Sequence, residues 1–218
     1  MSLYGRLIYA RERALTLRDK NRRVFPFEWG LEFLDRSTGV TPLQAFKDFS
    51  RRSMDANRDF FAPGPIRDVK VKGECLTFAT PHPTSYEFNN QVTCRLFPVE
   101  PRRAAAIVIP QWNADLRSHV SLCRILQWLG ISAMRLSLPY HDDRRPPRMK
   151  RADYMVSPNL GRTLHATRQA VLETMQLAAL GANVTAVDKS DTRLPRIHQN
   201  LTRTKLEAEI ICADALEW

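Results

Sequence analysis

At 218 residues, with 44% apolar and 26% charged side chains, the chain can build one α/β domain with a sizeable core or one domain plus an appendage, and it excludes two complete enzymes. The same balance excludes a disordered or fibrous protein, and no stretch approaches the roughly 20 apolar residues of a membrane helix. A formal charge of +10 with a pI near 9.9 raises RNA as a partner, but the basic residues gather in an N-terminal arm (Arg6, Arg11, Arg13, Arg18, Lys20, Arg22, Arg23) and in DDRRPPRMKR without interleaved aromatics, as on a solvated face or an anchoring arm.

Leu7, Ile8, Leu15 and Leu17 stand among charged residues over 6–22, which predicts a helix with a basic exposed face. FEWGLEFL opens a second helical stretch, and TPLQAFKDFSRRSMDANRDFF a third, with Thr41 as N-cap and Pro42 at the first helical position. This helical arm ends at APGP, giving a first segment of 1–66.

From Val69 the period changes. VKVKGECLTFAT alternates and carries a glycine turn, and NNQVTCRLFPVE is rich in strand formers, so the two are expected to form an antiparallel pair. AAAIVIP, residues 104–110, is the continuous apolar run of a strand buried on both faces. A loop, QWNAD, follows, then the helical segment LRSHVSLCRILQWLG with its glycine as a C-terminal cap, then the strand ISAMRLSL and the polar loop PYHDD. A helix from SPNLGRTL is expected to have Ser157 as N-cap, Pro158 at its first position and Gly181 at its end. ANVTAVDKS, SDTRLPRIHQNLTRTKL and EAEIICADA read as strand, helix and strand. Four strand–helix alternations predict an α/β fold with a parallel sheet, right-handed crossovers and flanking helices.

The four cysteines, Cys75, Cys94, Cys123 and Cys212, are scattered, with no CxxC pair and no histidine at ligand spacing, so reduced structural thiols are expected and no metal site. The arginine-rich start has no continuous apolar core and does not read as a secretory signal, which makes the cytoplasm the expected compartment.

The stretches RDKNRRVFPFEWGLEFL, LTFATPHPTSYEFNN, AIVIPQWNAD and PYHDDR through GRTLHATRQAV resemble, over residues 1 to about 172, a poorly characterised bacterial branch of the α/β-hydrolase superfamily. That resemblance implies an ester or acyl substrate and a three-layer domain over 67–175. It also implies that Gln111, Trp112 and Asn113 occupy the loop that donates backbone NH groups to an oxyanion hole. Trp112 reads equally as a core or lid aromatic, and Asn113 and Asp115 as caps of the following helix. No GxSxG elbow follows. Ser190 stands near the nucleophile's place, but Asp188 and Thr192 replace the two glycines, and an N-cap role competes. Only His198 comes after it; of His82, His119, His141 and His165, His141 is the best placed for chemistry, with a hydrogen-bonded structural role as its alternative.

From about Gln176, LAALGANVTAVDKSDTRLPRIHQNLTRTKLEAEIICADALEW closely resembles ribosomal RNA cytosine-5 methyltransferases, so 176–218 is expected to be a Rossmann-like fragment continuing the sheet. The resemblance implies that Asp188 holds the ribose hydroxyls of S-adenosylmethionine (SAM) and Asp214 its adenine amino group. The glycine-rich loop is missing, QAVLETMQ standing in its place, and Cys212 matches neither catalytic cysteine. The expectation is a composite, hydrolase-like by ancestry, with neither catalytic site complete and no cofactor; a SAM-dependent RNA methyltransferase fragment is the alternative.

Overall fold

The computed structural model describes residues 3–18, 25–34, 41–101, 104–179, 185–188, 190–204 and 208–213. Loop length decides strand direction in the first half of its sheet. β1 (Arg67–Lys72) and β2 (Cys75–Ala79) are joined by Gly73 and Glu74 alone, with Gly73 at φ 58°, a left-handed turn conformation that glycine adopts without a Cβ penalty. β3 (Gln91–Phe97) returns antiparallel to β2, because the connection between them holds no crossover helix.

β4 (Ala105–Val108) leads through α4 (Val120–Trp128) to β5 (Ser132–Leu136), and this helical crossover makes β4 and β5 parallel. β5 inserts between β3 and β4, giving the order β1-β2-β3-β5-β4 with β3 and β5 antiparallel. The sheet is therefore mixed and mostly antiparallel, with one parallel pair. The expectation of a parallel sheet is overturned because only one of its connections contains the helix that parallel pairing needs.

Side-chain alternation separates the two faces. Ile107, Met134 and Leu136 join Leu76, Phe78, Val92 and Cys94 in one core, which α5 (Leu160–Ala178) covers with Ala170 and Leu177. Their strand neighbours Val108 and Ala133 face the other way, with Phe97, against Val120, Cys123 and Leu126 of α4. Phe78, Val92, Cys94 and Leu136 are at most 1% exposed, so truncating Phe78 to Ala costs about 3–5 kcal/mol.

Helix ends largely follow local sequence. α2 (Pro42–Asp55) starts at Pro42 with Thr41 accepting from the Gln44 amide, and Gly130 caps α4 at φ 81°. Three expectations shift. The stretch expected as one helix over 41–61 breaks at Ala56 into α2 and the short α3 (Asn57–Phe60). FEWGLEFL keeps only a 3-10 turn at Leu31–Phe33, because its first residues run extended and bond to the start of α5. There Glu28 N donates to Pro158 O, Leu160 N to Glu28 O and Gly161 N to Trp29 O. That pairing takes the Leu160 amide, Ser157 Oγ among the described residues accepts only from the Asn159 amide at 3.3 Å, and α5 begins at Leu160 with Asn159 as N-cap, accepting from Arg162 N at 2.8 Å. Gly161 is required at this crossing, since a Cβ there would strike the carbonyl of Gly30. α1 (Leu3–Arg18) is helical as expected, with nearly all of residues 4–17 exposed.

β6 (Thr185–Asp188), α6 (Leu194–Thr204) and β7 (Glu209–Cys212) form the expected strand–helix–strand unit, with β6 and β7 parallel. Among the described residues they pair only with each other, in a second two-stranded sheet, and do not continue the first. Gly181 and Asp214 lie outside the described residues.

Candidate functional site

The carboxyl ends of β4 and β5 open onto two long loops, 109–119 and 137–159, the position at which parallel strands generally present binding groups. Asn113 (φ 63°), His119 (φ 65°), Tyr140 (φ 59°) and Asp142 (φ 49°) all adopt the left-handed region there. For a bulky residue such as Tyr140 this conformation stores strain, which persists only when its surroundings over-determine it.

Two buried arginines supply that determination. Arg135, on β5 and 3% exposed, points to the α4 side and donates from Nε to Ser118 O, from Nη2 to Asp115 O and from Nη1 to Asp142 Oδ2 at 2.9 Å. It thus ties the loop before α4 to the loop after β5. Asp142 also accepts from the Ser137 hydroxyl. On the other side, Arg144 is 1% exposed and all five of its N–H donors are used: two on Glu173 (2.7 and 2.8 Å), two on Asn89 O and one on Ser137 O. Glu173 accepts further from Thr80 Oγ1, Gln169 Nε2 donates to Thr80, Asn89 Nδ2 donates to Gln169, and Tyr140 N donates to Asn89 Oδ1. The strained Tyr140 backbone is the end of this network.

His141 lies between the two loops, 1% exposed. Its Nδ1 is 2.9 Å from Pro139 O, which can only accept, so Nδ1 carries the proton and Nε2 accepts from the Asn113 amide at 2.8 Å. Burial holds its pKa below the ordinary histidine value. His141 is therefore a neutral anchor for the loop backbone, and it becomes a base only by releasing Asn113.

The loop it anchors is held at two further points. The Trp112 indole N–H donates to Ala152 O at 3.1 Å and Asn113 Oδ1 accepts from Ala152 N, while Arg151 stacks on the Trp112 ring at 5.1 Å. Asp115 turns back on its own loop, accepting from the Ser118 hydroxyl and from the amides of Ser118 and Arg117, which holds its carboxyl below the usual range. It does cap a turn, but α4 starts only at Val120. The Asn113 amide is spent on His141; among the described residues the amides of Gln111 and Trp112 have no internal acceptor.

Ser190 and Asp188 sit apart from these loops, at the end of β6. Ser190 Oγ is 2.8 Å from Thr192 Oγ1, its amide donates to Asp188 Oδ1, and Arg193 pairs with the same oxygen at 2.9 Å. Ser190 has no histidine partner among the described residues, and the carboxylate of Asp188 is engaged within its own turn. Elsewhere, His82 and His165 stack at 3.8 Å; burial, then His165 and Arg168, push His82 down to about 3.

Fold and site together define a mixed α/β protein with a hydrogen-bonded polar clasp at the carboxyl ends of its parallel strands. No protein-family model matches the chain, and no curated protein matches it. Among the described residues no group of three or more His, Cys, Asp and Glu could hold a metal, and no helix is long and apolar enough to cross a membrane.

Proposed function

We propose that the chain is an α/β-hydrolase-like protein of ester or acyl hydrolase ancestry that is catalytically incomplete. One observation carries this reading: the loop after β4 is fixed by His141, Ala152 and Arg151 while the Gln111 and Trp112 amides stay unspent, the arrangement an oxyanion-binding loop needs. The unit β4–loop–α4–β5, with α4 and α5 on opposite faces, supports the same assignment at the level of fold analogy. The chemistry of an acyl transfer, which needs a nucleophile beside a base, supports incompleteness. Ser190 is bonded to Thr192, and His141 has both ring nitrogens engaged. Four free thiols accord with a reducing cytoplasm.

Treating the folded protein with a fluorophosphonate probe and p-nitrophenyl butyrate tests this. No labelling and no turnover above background is the expected result; stoichiometric labelling of a serine would overturn incompleteness. A second reading, a SAM-dependent RNA methyltransferase fragment, is favoured by the acid at the end of β6 in a parallel strand–helix–strand unit. Saturable SAM binding that is lost on Asp188→Ala would move the assignment to it.

A further inference from the structure

A cleft of ≈ 460 Å³ opens between α2, α3 and the first turns of α5, separate from the clasp and lined by Phe46, Phe49, Phe60, Phe61 and Leu164. Its size is that of a site for one small molecule. The aromatic wall is fixed by its own contacts: Phe49 meets Phe60 edge-on at 5.9 Å, Phe60 meets Phe61 edge-on at 4.9 Å, and Arg168 lies over Phe60 at 3.9 Å while donating to its carbonyl. The walls therefore cannot collapse inward without breaking those pairs.

Residue size on α2 keeps the space open. Ser50 and Ser53, nearly one turn apart, line the cleft among phenyl rings, and neither side chain is large enough to fill it. Among the described residues no carboxylate lines the cleft, and the one charged group that does is Lys47, exposed and with no ion pair; neighbouring Asp48 is engaged with Gln44 and Arg51. An open, largely apolar cleft with one ammonium at its edge selects an amphiphile with a negative head.

We infer that the α2–α3–α5 cleft binds a single-chain alkyl carboxylate, its chain among the phenyl rings and its carboxylate at Lys47. Binding in this cleft does not depend on the clasp or on any catalytic activity.

Isothermal titration with dodecanoate below its micelle concentration, alongside uncharged dodecanol, tests the inference on the full chain. Saturable binding of one dodecanoate per chain is expected. Ser53→Phe fills the cleft and weakens binding about tenfold or more, and Lys47→Gln weakens dodecanoate about two- to fivefold while leaving dodecanol unchanged, as suits one exposed charge pair. Circular dichroism on each variant establishes that it is folded; if Ser53→Phe does not fold, Ser50→Leu takes its place. Equal binding by wild type and a folded filling variant overturns the assignment. So does a concentration-dependent dimer without heat from dodecanoate, which would mean that a second copy occupies the cleft.

Discussion

Replacing Glu173 by Gln removes one charge from a pair in which Arg144 is 1% and Glu173 0% exposed. The guanidinium keeps its bonds to Asn89 O and Ser137 O, but the two bonds to carboxylate oxygens become one bond to an amide oxygen and one donor facing a donor. An uncompensated charge at a buried site costs about 3–5 kcal/mol, a large share of the roughly 5–15 kcal/mol that holds a domain folded. At about 2–4 °C per kcal/mol for a chain of this size, the melting temperature should fall by about 6–20 °C. Thermal unfolding by circular dichroism measures the loss. The double variant Arg144→Met/Glu173→Leu should be less damaged than Glu173→Gln alone, because it removes the charge that was stranded. A loss below about 1 kcal/mol, or a double variant equal to the sum of its single changes, would refute the claim that this buried pair is coupled.

The pH dependence of stability has a definite sign. His82 is neutral when folded down to about 3 and has an ordinary value of 6.5, so its contribution is present above 6.5 and is lost as the pH falls toward 3, at about 1.4 kcal/mol per pH unit for one proton. His82→Asn should flatten that slope in urea titrations run between pH 4 and 7, and an unchanged slope would reject the assignment. Gly161→Ala drives a Cβ into the Gly30 carbonyl and should cost about 1–3 kcal/mol by denaturant midpoint, whereas free tolerance would show that the crossing is loose. Iodoacetamide on the native protein should modify exposed Cys212 first and leave Cys94, whose thiol burial pushes up to about 12, untouched until unfolding; peptide mapping that finds Cys94 modified early would contradict its burial. His141→Phe should release the Asn113 amide, visible as faster hydrogen exchange over 111–114 with the core unchanged, and no change there would remove His141 as the anchor.

Local chemistry was legible in the chain itself. Thr41 and Pro42 set the start of α2, Gly73 the hairpin and Gly130 the end of α4, because each acts within a few residues of itself. The loops that form the clasp, QWNAD and PYHDD, were also marked, by residue types that packing alone does not demand. Signals for the buried network were present but easily passed over: Gln169, Glu173 and Gln176 recur at i, i+4 and i+7 on α5, a polar stripe on the face that turned out to be buried.

Direction and partnership needed the fold. An apolar strand reads the same whether its neighbour is parallel or antiparallel, and the choice fell to the presence of a helix in the connection, which only β4 and β5 have within the main sheet. Glu28 and Asn159 are 131 residues apart, and nothing local to either reports that a chain bonded there would move the start of α5 and erase a helix. The role of His141 was decided in the same way. Its place in a loop after a strand suits a base, but the Pro139 carbonyl on one nitrogen and the Asn113 amide on the other make it an anchor, and those contacts exist only once two loops from different strands meet. Short-range terms such as caps, turns and periodicity are written in neighbouring residues, whereas pairing, burial and protonation depend on which distant groups the folded chain brings within 3 Å.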